Sequence, residues 1–464
     1  MRPVRLLGLL GLLCLGLVVG PAETLGQEAK PFVHSLFGDH MVLQRDMKAP
    51  IWGWAKPDEK VTVEMAGKSG TAAADKDGRW EVRLGPFKAG GPHTLKISGP
   101  QAVTIQDVLV GDVWLCSGQS NMEWGMTGSD TGDDIPKADF PKIRQTRPGG
   151  NWTVCTPESA AGFKAVGFYF ARAVQRETGV PIGLVNNAVG GSRIEPWVDP
   201  ASVASASELR PALERGKSGL FIAKTLPLVP YALRGMLWYQ GESNGNEGAS
   251  YLQKLRVLIG GWRKLWGQGD FPLYVVQLPN FQQANDNPAG GDGWAKIREA
   301  QLKALAIPNT GVIITIDVGE PGNIHPKNKF DVGERLARWA VAKDYGKKDL
   351  VYSGPLYKGM KVEGNKVRIS FDHVGSGLMV GKKEGRRPAE EVKGGQLKRF
   401  AVAGADKKWV WADAVIEKDT VVVSSPDVPN PVAVRYAFSG NPEGCNLYNK
   451  EGLPASPFRT DDWE

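Results

Sequence analysis

The chain has 464 residues, 42% of them hydrophobic and 23% charged, with a formal net charge of +7. This is ordinary globular composition and excludes a disordered or collagen-like chain, while the length allows about three domains. The denser basic stretches, KDYGKKD around Lys343 and KKEGRR around Lys382, have no interleaved aromatics to stack on bases, so they read as solvated surface and no nucleic-acid partner is expected.

At the start of the chain, Arg2 and Arg5 precede the apolar run LLGLLGLLCLGLVVG, and small and polar residues follow. That is the pattern of an export signal, and the run falls short of the roughly 20 residues of a spanning helix. Residues 1–26 are assigned to this signal, with an approximate cleavage site. The mature protein is expected to be exported, periplasmic or extracellular, and not membrane-bound once the signal is removed. Cys14 lies inside the run after Leu13, whereas a lipid-attachment cysteine follows a small residue at the end of such a run. Cys116, Cys155 and Cys445 remain, an odd number, so at most one disulfide forms. No CxxC pair or His/Cys cluster indicates a metal, and neither a metal nor an organic cofactor is expected.

From residue 30 to 107 the sequence is strand-like. VTVEM, RWEVRL and HTLKIS alternate apolar and polar residues around the turn DKDG, which predicts an antiparallel, sandwich-like β domain. Between 108 and 346 the apolar runs VLVGDVWLC, PIGLVNNAV, ALRGMLWYQ, PLYVVQLP and GVIITIDV are separated by helical periods. Phe163, Val166, Phe170 and Val174 share one helix face; Leu252, Leu255, Ile259 and Trp262 share another. Further helices are predicted over 294–305 and 330–343. Strand and helix in alternation predict an α/β domain, a parallel sheet covered on both faces, with chemistry at the strands' carboxyl ends. From 347 to 464 the alternation returns in KVRISF, KWVW, DTVVVSS and VAVRYAF, a second all-β domain.

The loops after the α/β strands carry SGQSN, GGSRIEPW, GESNGN and GEPGNIHPKNK. Serine chemistry needs a nucleophile, a base and donors for an oxyanion. Of five histidines, His34, His40 and His93 belong to the first β region and His373 to the last; His325 alone lies in the α/β region, in a loop at a strand's carboxyl side. Ser120, Ser192 and Ser243 compete as nucleophile. Ser120 follows the first strand, with Gly118 two residues earlier to permit a sharp turn, and GxSxG is absent there because Asn121-Met122 follows. The Gly-Lys-Ser triplets at Gly67 and Gly216 are not phosphate loops, since Thr62 and Pro211 stand where the upstream glycine is required.

GQSNM (Gly118 to Met122), GGS with IEPW (Gly190 to Trp197), WYQGESN (Trp238 to Asn244) and NIHPKNK (Asn323 to Lys329) resemble, in that order, the sialate O-acetylesterase family of SGNH-type hydrolases. FGDHMVLQRD and PIWGWA resemble that family's leading β domain. The resemblance implies an SGNH-like three-layer domain flanked by all-β domains, with Ser120 as nucleophile and His325 as base. It also implies oxyanion donors at the Ser120 N–H, the Gly190 or Gly191 N–H and the Asn244 side-chain amide. Relatives commonly carry an aspartate two or three residues before the histidine, where this chain has Gly322 and Asn323. Loss of that acid can cost on the order of 10⁴-fold, so another group serves or the pair works as a dyad. Asp317 is the preferred acid, with Glu320 and Asn323 as alternatives. Glu242 and Arg193 are expected to hold the loops together.

The expected protein is an exported serine esterase that removes acetyl groups from carbohydrate, such as sialic acid or xylan, through an acetyl-enzyme. Its partner is the acetylated sugar, for which Trp152 and Trp197 offer stacking faces, whereas Trp238, inside its apolar run, is expected in the core. A catalytically silent glycan-binding protein is the alternative.

Overall fold

The computed structural model describes residues 30–463; the export signal expected over 1–26 lies outside them. Six strands come first: β1 (Val42–Gln44), β2 (Ala49–Trp54), β3 (Lys60–Met65), β4 (Lys68–Ala73), β5 (Arg79–Leu84) and β6 (Gly90–Ser98). β3, with Val61, Val63 and Met65 buried between outward polar residues, shows the period-two alternation that makes such a segment a half-buried strand. β7 (Ala102–Gly118) is 17 residues long and passes from antiparallel to parallel pairing along its length, meeting β1 in parallel at Leu109–Gly111. Its first half pairs antiparallel with β6, and its second half is the central strand of a parallel sheet. The expected boundary at 107/108 therefore falls inside one continuous strand.

The parallel sheet continues with β8 (Phe140–Thr146), β9 (Thr153–Cys155), β10 (Ile182–Ala188), β11 (Gly235–Tyr239), β12 (Leu273–Val276) and β13 (Thr310–Ile313), in the order β13-β12-β11-β7-β10-β8-β9. All neighbours are parallel except β8 with β9. α1 (Ser120–Glu123) follows β7, and four longer helices cover the sheet: α2 (Ala165–Thr178), α3 (Ala249–Trp266), α4 (Gly293–Leu302) and α5 (Lys329–Lys343). On one face, Trp114 packs on Phe170 of α2, and Tyr274 on Trp339 of α5. On the other, Trp238 meets Trp262 of α3 edge to face. The result is a three-layer α/β/α domain. The helices arise where apolar residues recur at helical spacing, so that one stripe of each is removed from water.

C-terminal to α5, two antiparallel four-stranded sheets face each other. Val367, Ile369 and Phe371 from one and Phe400, Val402, Val434 and Phe458 from the other form a core of their own. The N-terminal strands have none: Phe32, Trp52, Trp80 and Leu95 belong to the same continuous core as Trp114, Phe170 and Leu336.

The C-terminal region is tied on by polar contacts. Arg298 of α4, fully buried, donates to the Leu278 and Pro279 carbonyls and, at 2.7 Å each, to the carbonyls of Ser439 and Gly440. The KKEGRR stretch, expected as solvated surface, is partly a docking loop. Lys383 is buried and pairs with Asp331 at 2.6 Å, while Arg386 pairs with Asp134 and lies over the Phe330 ring, 4.5 Å from its centroid. Lys382 and Arg387 do stay exposed.

Candidate active site

Ser120 leaves the sheet at its centre. β7 ends at Gly118, whose φ of +135° and proximity to β11 both require glycine: a Cβ there would stand 2.1 Å from the Tyr239 carbonyl oxygen. The chain then turns into α1, which begins at Ser120. Gly118 is in register with Ala188 of β10 and Tyr239 of β11, so the loops after both strands open beside the serine.

His325 comes from the loop between β13 and α5. Glu320 staples that loop, accepting from the Asn323 side chain at 3.1 Å and the Lys327 N–H at 2.7 Å. The Asn323 side-chain oxygen accepts the His325 N–H at 2.9 Å. The imidazole lies flat on Trp124, with centroids 4.4 Å apart and 15° between planes. Its Nε2 is 2.8 Å from Ser120 Oγ, within the reach that proton transfer between them requires.

A polar bracket joins the two loops from beneath. Asn121, directly after Ser120, donates to the Ile324 carbonyl, directly before His325, at 2.9 Å, and to the Glu242 carboxylate at 2.5 Å. Lys329 donates to the Asn121 oxygen and sits over the Tyr239 ring. Burial pushes the Lys329 ammonium down to about 7, against the attraction of Glu242 and Glu320. It also pushes the Glu242 carboxyl above its ordinary range. Burial, and secondly the Lys329 charge, hold His325 below 6.5, which favours the neutral ring that can accept a proton.

Of the expected oxyanion groups, the structure brings Gly190 beside Ser120: a Cβ on it would lie 3.6 Å from the serine Cβ. Its N–H donates to the Glu123 carboxylate at 2.8 Å. Gly191, exposed on the same loop, accepts the Ser243 hydroxyl at 3.1 Å through its carbonyl. Asn244 has its amide engaged by other partners. It is buried, accepts from the Ile194 N–H at 3.0 Å and Gln240 at 2.8 Å, and turns its amide nitrogen to Glu195 at 3.3 Å. Burial alone would raise the Glu195 carboxyl, but Lys254 at 2.6 Å and Arg193 hold it below its usual range. That anchored anion holds the amide, so that in this structure Asn244 staples two loops.

Asp317 is engaged elsewhere as well. Arg335 takes both its oxygens, at 2.6 and 2.8 Å, and its hydrogen bonds run to α5 and Tyr448. Among the described residues no carboxylate is hydrogen-bonded to the second ring nitrogen of His325, while the first meets Ser120. No three His, Cys, Asp or Glu side chains among the described residues gather as metal ligands.

The profile of the carbohydrate esterase, sialic acid-specific acetylesterase family matches residues 110–342. The chain belongs to this family. The esterase is 28% identical to human sialate O-acetylesterase, over 91% of this chain and 91% of that protein. It is 27% identical to the mouse sialate O-acetylesterase, over 91% and 93%. A carbohydrate acetylesterase from Xanthomonas citri is 40% identical and superposes with a TM-score of 0.84, covering 94% of this chain and all of that one. The protein is thus a carboxylic ester hydrolase of the carbohydrate-esterase type with an SGNH-like three-layer core.

Within the esterase, only Ser120 of the three candidate serines meets a histidine. Ser192 accepts from the Trp197 indole at 3.0 Å, and Ser243 is spent on Gly191. Trp152 and Trp197, expected as sugar faces, are core residues, and so is Trp238, as its apolar run predicted; none is more than 4% exposed. Arg193, as expected, ties loops, donating to the Ser243 carbonyl at 2.8 Å. Sequence reasoning missed Trp124, Asn121 and Lys329. All three lie within or beside the recognised motifs, but nothing in their spacing says that they contact His325 or its loop.

Proposed function

We propose that the esterase removes O-acetyl groups from carbohydrate through an acetyl-enzyme. Ser120 attacks the acetyl carbonyl as His325 Nε2 accepts its proton; His325 then gives that proton to the departing sugar oxygen. Water, activated by the same imidazole, releases acetate. The N–H groups of Ser120 and of Gly190 or Gly191 are the donors for the oxyanion, with the Glu123 carboxylate moving off Gly190 as negative charge develops. Trp124 fixes the ring plane, and the Asn121 bracket fixes the two loops. Part of the orientation that a third carboxylate supplies elsewhere is thereby supplied by packing. Residues 1–26 are read as an export signal, which puts the enzyme where extracellular glycans are met.

The observation that carries this reading is the 2.8 Å contact between Ser120 Oγ and His325 Nε2. Relatives named for sialate and for carbohydrate both support acetylated sugar as the substrate class. The test is acetate release from acetylated xylan and from O-acetyl sialate. Ser120→Ala is expected to lower the rate at least ~10³-fold; equal release by the variant would remove Ser120 from its role.

A further inference from the structure

Outside the carboxyl ends of β12 and β13, a cavity of about 640 Å³ opens between the α/β layer and the C-terminal β region. Asn280 and Asp317, which follow those strands, line it together with Lys398, Glu443 and Tyr448 of the C-terminal region. Pro321, on its rim, belongs to the loop that carries His325. In parallel α/β sheets, ligands collect on this side of the sheet. The volume is in the ~300–1,000 Å³ range of small-molecule sites and exceeds what an acetyl group needs. An open depression of about 450 Å³ adjoins it, sharing Lys398, Glu443 and Gly444. Together they make one groove leading from the histidine loop to Trp411.

Trp411 is 42% exposed yet held in place. Its indole N–H donates to the Asp286 carbonyl at 3.2 Å, and the Arg399 guanidinium lies 5.4 Å from the ring centroid. Asp286, Glu443, Lys398 and Arg399 place charges of both signs around it. A fixed indole face bordered by mixed donors and acceptors matches a pyranose, whose C–H face stacks and whose hydroxyls both give and take hydrogen bonds. A single-sign cluster suited to phosphate is not present there.

We propose that this groove binds the chain of an oligosaccharide whose acetylated residue lies at Ser120, so that the substrate is a glycan polymer and not a single terminal sugar. This rests on the esterase reading of Ser120 and His325 and adds substrate length to it.

Calorimetry on the Ser120→Ala protein with xylohexaose, cellohexaose and mannohexaose tests the groove without turnover. At least one hexaose is expected to bind with a sub-millimolar Kd. Adding Trp411→Ala weakens it about tenfold, the scale of a lost aromatic contact, and Trp411→Phe restores most of the loss. With Ser120 intact, Trp411→Ala raises KM for the acetylated hexaose about tenfold at unchanged kcat, and hydrolysis of 4-nitrophenyl acetate stays unchanged, which also reports that the variant is folded. Absence of binding by all three hexaoses, or binding indifferent to Trp411→Ala, overturns the proposal. Binding as expected with no hydrolysis of either ester would overturn the esterase reading and leave the groove standing.

Discussion

The N-terminal and C-terminal β regions look alike in sequence, both alternating short strands with Asp-Gly and Asn-containing turns, yet they join the α/β layer differently. The first shares a strand and a core with it: β7 is the edge partner of β6 and then the central strand that delivers Ser120. The second has its own core and is attached through Arg298, Lys383 and Arg386. A shared strand makes two sheets one folding unit, because neither can bury its apolar face without the other. A region with its own core keeps its stability, and only its position depends on the contact.

The largest expected effect comes from removing the regions in turn. A chain beginning at residue 108 exposes the apolar side chains that face Trp52, Trp80 and Leu95, each worth ~1.5–3 kcal/mol when buried, and is expected to be insoluble. A chain ending at residue 355 is expected to keep a near-ultraviolet circular dichroism spectrum of packed aromatics with a lowered Tm. The opposite pair of outcomes would break the contrast. Next, Arg298→Met leaves buried carbonyls without a donor and is expected to cost about 3 kcal/mol, with thermal unfolding splitting into two transitions as the C-terminal core uncouples. Arg386→Ala is expected to cost about 1 kcal/mol and to raise amide exchange at the start of α5, read by hydrogen-exchange mass spectrometry.

The smallest effect concerns pH. A protonated His325 cannot accept the Ser120 proton, so the acidic limb of kcat/KM follows its pKa. Burial and Lys329 hold that pKa below 6.5, and activity is therefore expected to persist at lower pH than an ordinary histidine allows. Lys329, faced by Glu242, Glu320 and the Tyr239 ring, contributes part of the shift. Lys329→Met should move the limb to higher pH, and an unmoved limb would confine Lys329 to the Asn121 bracket.

Much of the architecture was legible in the chain. The five α/β strands and four long helices lie where apolar runs and helical periods place them. Glycine two residues before Ser120, and elimination among five histidines, are signals readable in the chain, and the resemblance of the motifs is what assigned the roles among the three competing serines. The last two strands of the sheet, β8 and the edge strand β9, escaped notice, since FPKIRQT is mostly polar and is a strand through its pairing with β10 and β9. Asp317 and Asn244 have the residue types and strand-end positions that the chemistry calls for. What redirected them were buried partners far along the chain or on another loop, Arg335 and Glu195.

By itself, the sequence determined the periodicities, the turns and the order of motifs, and hence a three-layer core with a serine and a histidine in loops at the strands' carboxyl ends, because these follow from backbone sterics and local burial. Only the tertiary structure decided which polar groups meet. A buried carboxylate or amide takes whichever partner offsets its desolvation most, and that partner is chosen by packing across tens to hundreds of residues, not by neighbours in the chain.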